Sequence, residues 1–301
     1  MTNSRVFRLA VAAVFALAAT ASLAAAVTPP KRSAPSKSML FRVRAPNGGA
    51  TVYLLGSVHL LSPEAGKLPA VVDSVFARSS MIAFETSIDS VQMRAGELMA
   101  RAQFANGKTL RTSLSPAGLA KADTLLRSYG ASVDQLNGFK PWFVSMALAQ
   151  LVMRKANFTP EYGVDMQLNA RAKSAKKPVM GLEAVDFQLG LFDSIKPEDQ
   201  ETMLTQAESP DATLKQLTVI KDAWMQGNTT QLDSLLNSRM GESAGLFATL
   251  VTDRNKNWIP KIEQLLRGKD DVLVVVGAAH LVGKQGVVEL LKAKGYSIEQ
   301  M

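Results

Sequence analysis

Two histidines occur in the sequence, and both follow the same short motif. Gly56 lies three residues before His59, and Gly277 lies three residues before His280, each after an apolar run (YLLGSVHL and VVVGAAHL). With 20 glycines in 301 residues, chance gives this coincidence a probability of about 0.004. A glycine lets the chain turn sharply, or another group approach closely, where a strand ends. The repeat therefore predicts two strand ends that meet at one site.

Paired histidines with one or two carboxylates are typical of a divalent-metal site that keeps a position open for water. Two carboxylates follow strand-like runs, namely Glu85 after MIAF and Glu183 after PVMGL. Each is a candidate to bind the metal or to take a proton from water. Each histidine could instead be a buried core residue whose imidazole is satisfied by hydrogen bonds. Each glutamate could instead lie at the N-terminus of a helix and interact favourably with the helix dipole.

Several other chemistries are excluded by composition. The chain has no cysteine, which rules out disulfides, thiolate metal sites and cysteine nucleophiles. There is no Gly-x-Ser-x-Gly, Walker A or Gly-x-Gly-x-x-Gly motif, and Ser57 near His59 lacks an identifiable acid for a triad. The formal charge of +8 is spread along the chain without a nucleic-acid motif, so no nucleic-acid partner is expected.

The elements that must position these residues lie mostly at the two ends of the chain. Strand-like runs occur at 40–44, 51–55, 81–84, 178–182, 272–276 and 296–299. The first two flank the turn sequence PNGG and predict a hairpin, while VLVVV at 272–276 predicts a strand buried on both faces. The long middle is patterned as helix, including 117–128, 141–155 and 164–175. We expect one α/β domain with a central mixed sheet built from both chain ends and a large helical middle segment packed as a cap.

The N-terminal residues 1–26 predict a signal peptide. Arg5 and Arg8 precede a short, alanine-rich apolar run, and small residues permit cleavage after Ala21 or Ala26. The alternative is an uncleaved N-terminal anchor. Residues 27–38 predict a disordered tether, and 39–301 predict the single domain. We expect an exported bacterial protein, periplasmic or secreted, without stable membrane insertion after cleavage.

With these motifs the sequence resembles the TraB/GumN family, which includes the Tiki membrane proteases. The resemblance covers nearly the whole mature chain and agrees in the order and separation of its motifs. Besides the two Gly-x-x-His motifs, the matching stretches are KPW at 140–142, YGVD at 162–165, KPVMGLE at 177–183, QL at 188–189, FD at 192–193 and RNKNW at 254–258.

This resemblance implies a mixed α/β fold and a divalent-metal-dependent peptidase. It implies that His59 and His280 bind the metal, commonly manganese or cobalt, and that Glu85 is a ligand or the base. The ligand residue types by themselves are also compatible with zinc. The resemblance also implies a site role for Arg254, against the alternative of a solvated arginine at a helix start. Glu183 is the second candidate proton acceptor.

The function predicted is a periplasmic metal-dependent hydrolase that cleaves a peptide or protein substrate with a metal-activated water. The alternative is a non-catalytic periplasmic protein of the same fold that binds a peptide, haem or metal. Ester or glycan hydrolysis at the same metal is a third interpretation. Tiki-type members are membrane-anchored, whereas this mature chain is predicted not to be. The oligomeric state stays open.

Overall fold

The computed structural model describes residues 37–237 and 243–301. The predicted signal peptide and most of the predicted tether lie outside these residues. Ser38 was predicted to end the tether, but it is buried, and its backbone N–H and hydroxyl both donate to the carbonyl of Met301. Ser38 therefore belongs to the fold.

A six-stranded mixed sheet runs through the described part of the chain in the order β4-β3-β5-β2-β1-β6. The strands are β1 (Leu40–Arg44), β2 (Val52–Ser57), β3 (Met81–Phe84), β4 (Val179–Gly181), β5 (Val272–Gly277) and β6 (Ser297–Gln300). β1 is antiparallel to β2 and β6, whereas the pairs β2–β5, β5–β3 and β3–β4 are parallel. The prediction of a mixed sheet assembled from both chain ends is confirmed.

The two central strands carry the histidine motifs. β2 and β5 are buried along their whole length, as the aliphatic run in β5 predicts for a strand covered on both faces. In their parallel register Gly56 lies opposite Val276, and Ser57 lies opposite Gly277. The carboxyl ends of both strands are therefore adjacent, and both motifs leave the sheet at one edge.

Helices surround the sheet and fill the middle of the chain. The α-helices are α1 (Ala70–Arg78), α2 (Ile88–Met93), α3 (Ala95–Ala102), α4 (Leu110–Ser113), α5 (Pro116–Ser128), α6 (Pro141–Lys155), α7 (Val164–Ser174), α8 (Val185–Leu191), α9 (Pro197–Thr205), α10 (Pro210–Met225), α11 (Thr229–Leu236), α12 (Ala244–Phe247), α13 (Asp253–Leu266), α14 (Ala278–Leu281) and α15 (Val287–Ala293). Short 3₁₀ segments cover Asp134–Leu136, Pro160–Tyr162 and Phe192–Ser194, and a π-helical turn covers Ala248–Thr252.

Local sequence sets many of these helix starts. In α5, Ser115 caps the helix by accepting a hydrogen bond from the N–H of Gly118, and Pro116 occupies the first helical position, where its missing N–H costs nothing. In α13, Pro260 lies inside the helix. No helix in residues 37–237 or 243–301 is long and apolar enough to span a membrane.

The helical middle has apolar clusters of its own beside the core of the sheet. Trp142 and Phe143 are fully buried on α6, and the Trp142 ring stacks on Phe192 with 4.6 Å between ring centroids. α6 is buried on almost all sides, as its sequence predicts. Helices α3, α5, α6 and α9 thus pack on one another and form the predicted cap, whereas α7, α10, α11 and α13 also contribute to the core of the sheet.

Candidate active site

The chain entering α7 packs directly against His59. A Cβ atom at Gly163, the residue before α7, would lie 2.1 Å from the carbonyl oxygen of His59, so this approach requires glycine. The N–H of Val164 donates to the carbonyl of Val58 at 3.1 Å. This contact fixes the start of α7 and brings Asp165, in its first turn, to the His59 ring.

His59 and Asp165 form a hydrogen-bonded dyad. Nδ1 of His59 donates to Oδ2 of Asp165 at 2.7 Å, and Asp165 is buried. Burial opposes protonation of the imidazole, but the Asp165 carboxylate outweighs burial and raises the pKa of His59 above its usual value. In neutral His59 the proton therefore stays on Nδ1, and Nε2 carries the lone pair.

His280 is held in the same tautomer by an amide. Its Nδ1 donates to Oδ1 of Asn255 at 2.7 Å, and Nδ2 of Asn255 donates to the carbonyl of Gln285 at 2.8 Å, which fixes the amide orientation. Burial lowers the pKa of His280 to about 3, so the ring is neutral at pH 7. The ring packs on Trp258 with 4.5 Å between centroids. Its Nε2 accepts a 3.2 Å hydrogen bond from Nη1 of Arg254.

Gly277 lies where these groups meet. Its N–H donates to Oε1 of Glu85 at 2.7 Å. A Cβ added at this position would lie 3.3 Å from Oε1 of Glu85, 3.4 Å from Nε2 of His59 and 3.6 Å from Cδ2 of His280. Two imidazoles and a carboxylate therefore surround one small space that the absence of a side chain at Gly277 leaves open.

Arg254 joins the two glutamates. Its Nη2 donates to Oε2 of Glu85 at 2.5 Å and to Oε1 of Glu183 at 2.6 Å, while its Nε donates to Oε2 of Glu183 at 3.2 Å. Although burial opposes ionisation, the two carboxylates raise the pKa of Arg254. The guanidinium is buried, so the alternative of a solvated arginine at a helix start is wrong.

The pKa values of the two glutamates shift in opposite directions although both side chains contact Arg254. Burial disfavours ionisation of Glu85, but Arg254 outweighs burial, with help from the histidines and the Gly277 N–H, so the pKa of Glu85 is lowered. Burial dominates at Glu183 and raises its pKa, despite Arg254 and a hydrogen bond from Nε1 of Trp258 at 3.1 Å. Glu85 is thus the fixed anion, and Glu183 holds a proton more readily.

The donor types around Gly277, two imidazole nitrogens and a carboxylate oxygen, are ones that divalent transition metals take. Both imidazoles have Nδ1 engaged by an oxygen acceptor, the outer contact that orients metal-binding histidines, and Glu85 adds an anionic oxygen. Within residues 37–237 and 243–301, however, the structure contains no group of three or more His, Asp or Glu side chains whose present positions would let them coordinate one metal ion. Nη1 of Arg254 lies against the Nε2 of His280.

The structure brings together all five residues that the sequence singled out, which are His59, Glu85, Glu183, Arg254 and His280. Sequence reasoning gave no role to three further residues that contact them, Asp165, Asn255 and Trp258. The sequence does indicate that these three residues matter, because all three lie in the YGVD and RNKNW stretches that carry the family resemblance. Their partners are distant in sequence, so the stretches alone could not assign them.

The fold and this site define a mixed α/β protein with a buried two-histidine, two-glutamate and arginine cluster at the carboxyl ends of parallel strands. Residues 39–300 match the TraB/PrgY/gumN family, and the chain belongs to it. It is 22% identical over 245 residues to the uncharacterized protein YbaP of Escherichia coli, covering 81% of this chain and 89% of YbaP. It is 20% identical over 271 residues to an uncharacterized protein of Treponema pallidum, covering 85% and 80%.

Proposed function

We propose that the protein is a divalent-metal-dependent hydrolase that cleaves peptide bonds at the Gly277 site. One observation carries the proposal: Nε2 of His59, Oε1 of Glu85 and the ring of His280 surround the space beside Gly277. Membership of the TraB/PrgY/gumN family gives the proposal its context.

The residues that would hold the ion are His59 and His280 through Nε2 and Glu85 through a carboxylate oxygen. Manganese, cobalt and zinc all accept this combination of nitrogen and oxygen ligands. When bound, such an ion polarises a carbonyl and lowers the pKa of water. Because Nη1 of Arg254 donates to Nε2 of His280, the Arg254 side chain has to release His280 when the ion binds.

The other residues of the cluster position groups and move a proton. Asp165 and Asn255 hold the two imidazoles in the tautomer that presents Nε2. Arg254 pairs with both carboxylates and offsets part of their charge. We assign the proton transfer to Glu183, because burial raises its pKa whereas the pKa of Glu85 is lowered.

Two glutamine substitutions test this division of roles. We expect Glu85→Gln to lose bound metal and peptide cleavage together, because the amide brings no charge. We expect Glu183→Gln to keep the metal while turnover falls on the order of 100-fold. Metal content and digestion of an unbiased peptide library are measured side by side, with circular dichroism to check folding and Glu289→Gln, on exposed α15, as the control. Wild-type metal content and cleavage in both site variants would contradict the proposal.

The second candidate is a protein that binds a peptide, haem or metal without turnover. It is favoured by the Arg254 contacts, which already satisfy both carboxylates and His280. The discriminating experiment incubates purified protein and added Mn²⁺ with a defined peptide. Metal-dependent loss of intact peptide supports the hydrolase, and stoichiometric recovery of bound, intact peptide supports the binding protein.

We also propose that the protein is exported to the periplasm or beyond the cell, on the signal-peptide pattern of residues 1–26. Mass spectrometry of the protein recovered from a bacterial periplasm should then give an N-terminus at Ser22 or Val27. An intact N-terminus in the membrane fraction would contradict export by cleavage.

A further inference from the structure

An apolar cleft opens beside the candidate active site. It encloses about 540 Å³, counting the space at its mouth, and it shares His59 and Gly277 with the site. Within it, the centre of a water-sized sphere can move through about 50 Å³. Its walls are apolar side chains from four parts of the chain. They are Leu60 after β2, Met153 on α6 with Phe158 just after that helix, Leu217 and Ile220 on α10, and Leu236 on α11.

The walls are almost entirely hydrocarbon. Leu60, Met153, Phe158 and Leu217 belong to one apolar cluster and are each less than 10% exposed although they border an open space. Lys221 is the charged side chain on this cleft besides His59, and its Nζ lies 3.1 Å from Asp222. Such a wall favours an apolar group and disfavours a second cation.

Ser57 lies beside this hydrocarbon surface, but its hydroxyl is closed off from the cleft. Ser57 is 3% exposed, and its Oγ makes no hydrogen bond within the part of the chain that the structure describes. The cleft therefore offers a bound group hydrocarbon contacts and not this hydroxyl.

We infer that the cleft is the specificity pocket of the proposed peptidase and binds the apolar side chain of a substrate residue next to the cleaved bond. The substrate class is therefore a peptide with an aliphatic or aromatic residue at that position. This inference rests on the proposed function for the cleavage, but binding in the cleft does not depend on turnover.

Binding is therefore measured first, in EDTA, by titration calorimetry with two matched probes, acetyl-Ala-Leu-Ala-amide and acetyl-Ala-Lys-Ala-amide. We expect the leucine peptide to bind at least 10-fold more tightly. Leu217→Asp should weaken its binding at least 10-fold, whereas Leu214→Asp, the same change on the exposed side of α10, should leave it unchanged. Equal binding of both probes, or equal effects of both variants, would overturn the inference.

Two milder variants keep the test valid if Leu217→Asp does not fold. Leu217→Ala enlarges the cleft and should shift the preference from leucine toward phenylalanine by about 3- to 10-fold. Ser57→Ala removes a hydroxyl that is closed off from the cleft, and it should leave the binding of the leucine and phenylalanine peptides unchanged. An unchanged leucine-to-phenylalanine ratio in Leu217→Ala would overturn the pocket assignment.

Cleavage is measured second, with Mn²⁺ and a peptide library. Cleavage beside apolar residues supports both the pocket and the hydrolase. Selective apolar binding without any cleavage overturns the hydrolase and leaves the pocket, whereas cleavage without side-chain preference overturns the pocket alone.

Discussion

Asp165 lies 106 residues from His59 in sequence, yet its Oδ2 accepts a 2.7 Å hydrogen bond from Nδ1 of His59. The contact exists because Gly163 lets the start of α7 pack against the carbonyl of His59. Asn255 makes the corresponding contact to Nδ1 of His280. Each motif histidine is thus oriented by an oxygen acceptor from a helix remote in sequence, an aspartate for one and an amide for the other.

The first prediction concerns Asp165→Asn. The amide keeps the shape of the side chain but removes the charge that raises the pKa of His59, so this pKa should fall. Metal affinity should fall by about 10- to 100-fold, as for other lost outer-shell contacts. Histidine NMR titration and metal binding measure the two effects. Asp73→Asn, which removes an exposed carboxylate paired with Arg171, is the control, and equal behaviour of both variants would contradict the orienting role.

Gly277→Ala tests the space at the centre of the site. The added methyl group would lie 3.3 Å from Oε1 of Glu85 and 3.4 Å from Nε2 of His59, close enough to obstruct anything bound there. We expect at least a 10-fold loss of Mn²⁺ affinity with the protein still folded. Gly96→Ala in α3 is the matched control, since its methyl group would meet no atom within 4 Å. Unchanged Mn²⁺ binding in Gly277→Ala would place the cation elsewhere.

A third prediction concerns stability and pH in the cap. Asp193 accepts hydrogen bonds from Lys140 at 2.8 Å and from Arg101 at 2.9 Å. Burial opposes ionisation of Asp193, but these two cations outweigh it and lower its pKa. A lowered pKa in the folded state gives stability that is present above the unfolded-state value near 3.9 and is lost as the pH falls through the folded-state value.

Asp193→Asn should therefore reduce the free energy of unfolding by about 1 kcal/mol at pH 7 and by clearly less at about pH 2. Urea unfolding at both values measures the difference. Asp270→Asn, in the exposed loop before β5, should have little effect at either pH. If Asp193→Asn lowers the free energy of unfolding as much at pH 2 as at pH 7, the contribution of Asp193 comes from side-chain packing and not from its charge.

Much of the fold follows from local sequence. The strand Met81–Phe84 and the helix Pro141–Lys155 have the predicted bounds, because each is a compact apolar run with clear ends. The adjacency of β2 and β5 also follows, since two similar motifs at the ends of strands imply a shared edge. The two histidines, Glu85 and Glu183 are predicted to share a site for the same reason, since each follows a strand, whereas only the family resemblance assigns Arg254 to that site.

The remaining contacts depend on the path of the chain. The Asp165–His59 contact depends on how the chain before α7 crosses the end of β2, which no local pattern encodes. The donation from Arg254 to Nε2 of His280 depends on the orientation of α13. The difference between Glu85 and Glu183 depends on burial and on shared access to one guanidinium. These are tertiary properties, and sequence spacing says little about them.

Metal binding by the two histidines tests the central claim most directly. Purified mature protein, stripped with EDTA and titrated with Mn²⁺, Co²⁺ and Zn²⁺, should bind one ion per chain with at least one of them. His59→Ala and His280→Ala should each lose most of that binding, because one imidazole and carboxylate oxygens bind transition metals weakly, while Lys256→Ala on the exposed side of α13 should retain it. Equal stoichiometry and affinity in the wild type and both histidine variants would contradict the account.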